Sequence, residues 1–272
     1  MISLKSLETL EFWKGYRQIW LESTGSSNDD LKALWHLPDY QHTIEVADSQ
    51  TNGKGQYGRR WASDAGQCLM FSYSFDVKEF TFPVSMLAGV ALAMALEDIG
   101  LPREVYWLKW PNDVWACQDK LAGILTESTY IKDNFRCVVG VGLNIKKLSD
   151  RKINSISLQE LGIDITRETM LLAFCKAWEK VFYYSAAQQK DLWKKYSHKF
   201  FNNVFEFNVP AEDSFRGLPL DIEKDGTLIV EQLSDKKVRK VIVVKFQIKR
   251  IRNNWIFPNK WFYYFCNKYY PG

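Results

Sequence analysis

Apolar residues come in short blocks through the first half of the chain. Residues 16–22 alternate with polar positions, and 43–48 and 68–75 are compact apolar runs bounded by polar stretches; each predicts a strand. Between the first two, a polar cluster at 23–30 leads to Leu31, Leu34 and Leu37 at helical spacing. Ser27 with Asp30 three residues on resembles a capping box that would start this helix. Residues 82–99 predict a longer helix, with Pro83 in its first turn and Ala88, Ala91 and Ala95 small enough to pack closely on a sheet. Strands follow at 105–110, 114–117, 121–127 and 135–145, the middle two joined by a turn at Gln118-Asp119. Leu171, Phe174, Cys175, Trp178 and Phe182 predict a helix over 167–184, and another runs from about 188 to 200.

The pattern then changes. Short strands at 204–209, 215–222, 227–232 and 238–246, two of them joined by a tight turn at Lys224-Asp225-Gly226, predict a small β-barrel. The boundary falls at Asn202-Asn203, dividing the chain into 1–203, a β-unit at 204–252 and an unpatterned aromatic tail at 253–272.

Composition narrows the class. The 272 residues are 46% hydrophobic, ample for a core, and the net charge of +4 is too small to argue for nucleic acid. Five cysteines are scattered without a Cys-x-x-Cys pair, and three histidines lie far apart, so neither a disulfide framework nor a zinc site is expected. No signal-peptide pattern opens the sequence, and the apolar run at 84–96 is too short to cross a bilayer. A reducing, cytoplasmic setting away from membranes is the expectation.

The candidate chemistry is concentrated in residues 50–61, which hold three glycines and three cations. Glycine lets the backbone approach a ligand, and Lys54, Arg59 and Arg60 would attract an anion. Gly53, Gly55 and Gly58 match the spacing of a dinucleotide-binding loop, but a strand rather than a helix follows them. Arg59-Arg60 also stand where a phosphate-binding P-loop would need Lys-Ser or Lys-Thr. Three more segments join this loop: Lys109-Trp-Pro-Asn-Asp113, Lys120-Leu-Ala-Gly123 and Gly140-Val-Gly-Leu-Asn144.

In this order the segments resemble the biotin protein ligases. That family's glycine-rich loop is similar to Gly53–Trp61, its Lys-Trp-Pro-Asn-Asp motif stands intact at 109–113, its Lys-Leu-Ala-Gly-Ile-Leu segment at 120–125, and its Ser-Thr-Asn resembles Ser26-Ser27-Asn28. The resemblance implies an α+β fold: a mixed sheet flanked by helices, akin to class II aminoacyl-tRNA synthetase cores, followed by an SH3-like barrel. It implies formation of biotinyl-5′-adenylate from biotin and ATP with Mg²⁺, then transfer of biotin to a lysine of a biotin carboxyl carrier protein.

By that resemblance Ser26, Ser27, Asn28, Gln50, Gly53, Lys54, Gly55, Gln56, Lys120 and Gly123 would bind biotin. Arg59, Trp61, Lys109, Asn112, Asp113, Lys120 and Asn144 would bind ATP, with Asp113 on the metal side. Lys120, Lys54 and Arg59 would offset the charge of a carboxylate meeting a phosphate. Lys54 replaces the commoner Arg, and Gln56 stands where some members carry Arg. The helix-turn-helix segment of the regulatory members is not present, which implies a monofunctional ligase that does not bind DNA; a homodimer is compatible with the resemblance. Two alternatives are a lipoate–protein ligase and a non-enzymatic nucleic-acid-binding protein using basic loops and aromatics. The intact 109–113 motif opposes the first and the weak net charge the second.

Overall fold

The structure, a computed structural model, describes residues 4–61, 63–147, 149, 154–208, 213–242 and 247–250. A seven-stranded sheet is built from β1 (Arg17–Thr24), β2 (Thr43–Gln50), β3 (Cys68–Val77), β4 (Tyr106–Lys109), β5 (Asp113–Ala116), β6 (Asp119–Ile131) and β7 (Asn134–Asn144). Its order is β1-β2-β3-β7-β6-β5-β4. β1 and β2 are parallel; the other neighbours are antiparallel. Parallel neighbours need a connection over a sheet face, and α1 (Ser27–Ala33) lies in that connection.

Alternation along β3 separates the two faces. Phe71, Tyr73 and Phe75 pack ring against ring with Phe174 and Trp178 of α3 (Arg167–Phe182). Ser72 points the other way, to Ser27 and Asn28 of α1. α2 (Val84–Asp98) is apolar around its circumference and buried. It packs on the sheet, α3 and α4 (Ala186–Tyr196). There Gly89 faces Leu108 and Ile124.

Several predicted elements differ in detail. The residues before β1 form 3-10 turns at Leu4–Thr9 and Glu11–Trp13, and Leu7 and Trp13 are fully buried. No Ser27–Asp30 capping box forms: Ser26 is the N-cap without a side-chain bond, Ser27 faces β3, and Asp30 accepts from Thr24 Oγ1. β6 runs longer than expected and β7 starts one residue early, because Lys132 and Asp133 both take positive φ (49° and 65°) and close a two-residue hairpin turn. Asp133 tolerates this conformation, but Lys132 is not a residue that such turns favour. The helix expected at 188–200 is interrupted at Ser197 and resumes as α5 (His198–Phe201).

The carboxyl-terminal strands are β8 (Phe205–Asn208), β9 (Phe215–Ile222), β10 (Leu228–Gln232), β11 (Val238–Val241) and β12 (Gln247–Arg250), antiparallel in the order β11-β10-β9-β8-β12. Among the described residues this is an open five-stranded sheet rather than a closed barrel. Part of the strand expected at 238–246, and the tail, lie outside the described residues. The small sheet is fastened to the large one. Trp110 Nε1 donates to the Gly226 carbonyl at 2.9 Å, Trp107 and Phe200 pack near Phe205, and Lys190 and Lys194 pair with Asp221 at 3.2 and 3.0 Å. One apolar core runs through both. Among the described residues no helix is long and apolar enough to cross a membrane.

Candidate active site

The register of the large sheet lays Met70, Gly142, Gly123, Asp113 and Lys109 in one row across five strands. Ser72, Gly140 and Leu125 form the next row on the same face. Glycines at the centre of both rows remove side chains where the sheet would otherwise be filled. The result is a cleft, partly open to solvent and roofed by α1 and the 50–61 loop, whose empty space with its open mouth included is about 500 Å³. Other side chains use the cleared space. A Cβ at Gly142 would stand 2.6 Å from Trp61 Cε2, one at Gly123 would stand 2.8 Å from Lys120 Nζ, and one at Gly140 would overlap Asn28 Oδ1.

One end of the cavity is polar without charge. Gln50 Oε1 accepts from the Ser27 backbone N–H at 2.9 Å. Ser27 and Ser72 hydroxyls are 2.7 Å apart, and Ser72 donates to Asn28 Oδ1 at 2.6 Å. Ser26, Ser27 and Asn28 are all buried. These groups are held by one another, which fixes their orientation toward the cavity.

The other end is cationic. The glycine loop folds as a small hairpin: Gly55 N–H donates to Arg59 O at 2.7 Å, Trp61 N–H to Gly53 O at 2.9 Å, and Gly58 takes φ of +73°. Lys54, Gly55, Gln56 and Trp61 thereby line the cavity. Lys120 reaches it from β6, 2.6 Å from Asp113 Oδ1 and 5.4 Å from the centre of the Trp61 ring. Asn112 lines it too, its Nδ2 donating to Ile124 O at 2.6 Å. Lys109 Nζ lies 4.4 Å from the Trp115 ring centre. Burial pushes the Lys109 pKa down, Asp113 opposes this, and the charges of Lys120 and Arg59 add to it.

The cavity brings together every expected biotin residue except Gly53, which closes the loop's base instead. Of the expected ATP residues, Trp61, Asn112 and Lys120 line it, and Arg59, Lys109, Asp113 and Asn144 do not. Asn144 Nδ2 donates to the carbonyls of Lys120 and Ile156 at 3.3 and 3.1 Å, and its Oδ1 accepts from Cys68. Its amide therefore holds the backbone that presents Lys120. Sequence reasoning missed Ser72, Asp29, Lys32 and Glu127. Ser72 left a trace, a hydroxyl in an otherwise apolar and aromatic run. Glu127 left none, since its partners Asn28 and Lys32 are distant in the chain, and Asp29 with Lys32 offered only an ordinary pair three residues apart.

Residues 20–144 match the Biotin/lipoate A/B protein ligase family. The bifunctional ligase/repressor BirA of Escherichia coli K12 is 30% identical over 199 residues, 69% of this chain and 61% of that protein. The biotin–[acetyl-CoA-carboxylase] ligase of Mycobacterium tuberculosis is 35% identical over 157 residues, 55% of this chain and 58% of that protein. The chain thus spans less than two thirds of the length of the curated relatives it matches. The biotin protein ligase of Aquifex aeolicus, solved in complex with biotin and ATP, superposes with a TM-score of 0.69 at 26% identity, covering 86% of this chain and 99% of that one. With the motifs converging on one cavity and these matches spanning the same strands, residues 20–144 belong to the biotin/lipoate A/B protein ligase family.

Proposed function

We propose that this protein is a biotin protein ligase, activating biotin with ATP and passing it to a lysine of a biotin carboxyl carrier protein. The observation that carries this reading is the division of the cavity into an uncharged polar end and a cationic end. Biotin has the same division, a neutral ureido ring at one end and a carboxylate at the other. Ser27, Asn28, Ser72 and Gln50 supply donors and acceptors for the ring, while Lys54 and Lys120 flank the carboxylate. Residues 1–203 carry this chemistry in our reading, and the sheet beyond Asn203 supports it.

In the first step a biotin carboxylate oxygen bonds to the α-phosphorus of ATP and the bond to pyrophosphate breaks. Two anions must meet, so fixed cations at the meeting point lower the barrier. Lys120 is the best placed, held by Asp113 at 2.6 Å and backed by a backbone that Asn144 secures. Trp61, whose buried Nε1 has no protein partner among the described residues, forms the nucleotide side. In the second step the carrier amine attacks the adenylate carbonyl, loses a proton, and AMP leaves. Arg59 lies beside the loop's tip, opposite Gly55, and contributes charge at longer range.

Asp113, the carboxylate expected to face the metal, faces Lys120, and among the described residues no three His, Cys, Asp or Glu side chains converge. We assign Asp113 to orienting Lys120 instead. The deciding experiment is incubation with ATP and radiolabelled biotin or lipoate, followed by addition of a carrier domain. A biotinyl-adenylate and a labelled carrier are expected. A lipoyl-adenylate alone, or no adenylate, would overturn the assignment.

A further inference from the structure

Lys32 stands outside the cavity yet touches both ends of it through two carboxylates. Its Nζ is 2.9 Å from Asp29 Oδ1 and 2.5 Å from Glu127 Oε1. Each carboxylate hands its second oxygen to a cavity residue: Asp29 Oδ2 meets Lys54 Nζ at 2.5 Å, and Glu127 Oε2 accepts from Asn28 Nδ2 at 2.9 Å. Lys54 belongs to the roofing loop and Asn28 to the uncharged end, and both line the cavity. The set is electrically balanced, two cations against two anions. Burial raises the Asp29 pKa and the bonds from Lys54 and Lys32 lower it, with a net lowering. Burial lowers the Lys32 pKa and Glu127 and Asp29 raise it, with a net raising. Both shifts favour the charged forms.

Neither carboxylate would hold its cavity residue as firmly alone. Without Lys32, Asp29 and Glu127 would be like charges close together, free to turn away, and one would be drawn toward Lys54. Asn28 has a second constraint that makes its orientation matter. With its amide N–H given to Glu127, its Oδ1 is left to Ser72, and that bond belongs to the network that includes Ser27 and Gln50. An Asn28 amide turned end for end would present a donor to Ser72 and an acceptor to a carboxylate, so Glu127 selects one orientation.

We propose that Lys32 is a positioning residue that sets Lys54 and Asn28 together for the ligand, so that the ring end and the carboxylate end of biotin are read as one unit. This rests on the biotin ligase reading above. It concerns geometry at both ends of biotin and leaves the nucleotide side, around Trp61 and Asn112, untouched.

The test is steady-state adenylate synthesis by Lys32→Met and Lys32→Arg, with thermal melting as the fold check. For Lys32→Met, KM for biotin should rise by about tenfold, the scale of one coupled contact. Its KM for ATP should stay within about twofold, which separates lost positioning from general damage. Lys32→Arg, which can still bridge two carboxylates, should recover most of the loss. Should Lys32→Met not fold, Glu127→Gln loosens the Lys32 pair and the Asn28 branch while leaving Asp29 on Lys54, and should also raise KM for biotin selectively. Unchanged KM for biotin in a folded variant, equal rises for biotin and ATP, or no recovery with Arg would each overturn the role of Lys32. Wild-type protein run in parallel separates this from the functional assignment: if wild type makes no biotinyl-adenylate, the ligase reading fails first.

Discussion

The indole of Trp61 rests against the bare Cα of Gly142, at a point where a Cβ would stand 2.6 Å from Cε2. The glycine exists in the strand for the benefit of a residue in a loop. Two strand positions away, Gly140 does the same for Asn28. Neither glycine takes positive φ, so alanine fits the backbone at both and acts only through the space it fills.

Gly142→Ala should therefore displace Trp61 and raise KM for ATP, while Gly140→Ala should displace Asn28 and raise KM for biotin. About tenfold is expected in each case, from overpacking on the scale of one to a few kcal/mol. Measuring both constants on both variants checks the partition. Equal effects on the two substrates would mean that the cavity is not divided as described.

Lys120→Ala should lower the rate of adenylate formation by about 100-fold or more, as when one preorganised charge contact is removed. The melting temperature should change little, since Lys120 is partly exposed. Single-turnover assays with labelled ATP read the step directly. Asp113→Asn should fall between wild type and Lys120→Ala, because it loosens the lysine and keeps its charge.

Glu45 offers a test through pH. It is buried on β2 and its Oε1 has no hydrogen-bond partner among the described residues. Burial pushes its pKa up to about 8, Asp30 pushes the same way, and Arg17 opposes. A carboxyl with a raised folded-state pKa holds its proton more tightly when folded. Stability linked to it is complete below the ordinary carboxylate range, declines as pH rises, and is lost once pH passes about 8. Glu45→Gln should melt higher than wild type at pH 8 or above, and the advantage should vanish near pH 4, which is checked by melting curves across that range. The same difference at both ends would mean that ionisation is not the cause.

The contacts across the two sheets predict what cutting the chain does. Ending it after Asn203 would leave Trp110 Nε1 without the Gly226 carbonyl and would uncover Phe200 and Trp107. The truncated protein should be poorly soluble or melt much lower. Gly226→Ala is a gentler probe: it places a Cβ 2.6 Å from Pro83 Cγ at a φ of +85°. A loss of about 1–3 kcal/mol is expected by denaturant titration.

How much of this was legible in the sequence follows from the range of each interaction. The strand–helix order of the large sheet could be read because apolar period and glycine placement are local signals. The four motifs could be read because each is contiguous. What escaped is non-local or replaced a usual residue. Lys132-Asp133 makes a hairpin turn without glycine or asparagine, so the β6–β7 ribbon looked shorter than it is. Ser27 suggested a cap because its true partner, Ser72, lies 45 positions away. Asn144 and Asp113 read as ligand contacts in their motifs, and their bonds to the Lys120 carbonyl and ammonium are visible only in the fold.

The parallel pairing of β1 with β2 has a kinetic consequence. One wall of the cavity comes from β5, β6 and β7, consecutive strands joined by tight turns, whose pairing closes only short loops. The other comes from Ser26–Asn28 and Gln50, placed by a crossover and by pairing of β3 with β7 across more than sixty residues in places. Short loops close at less entropic cost than long ones, so the ribbon forms early and the crossover late. In refolding followed by pulsed hydrogen exchange, amides of 121–143 should gain protection before those of 18–50. The cavity is then completed only at the end of folding, when α1 is laid over a sheet that is already formed. Simultaneous protection of both segments would place the crossover in the nucleus instead.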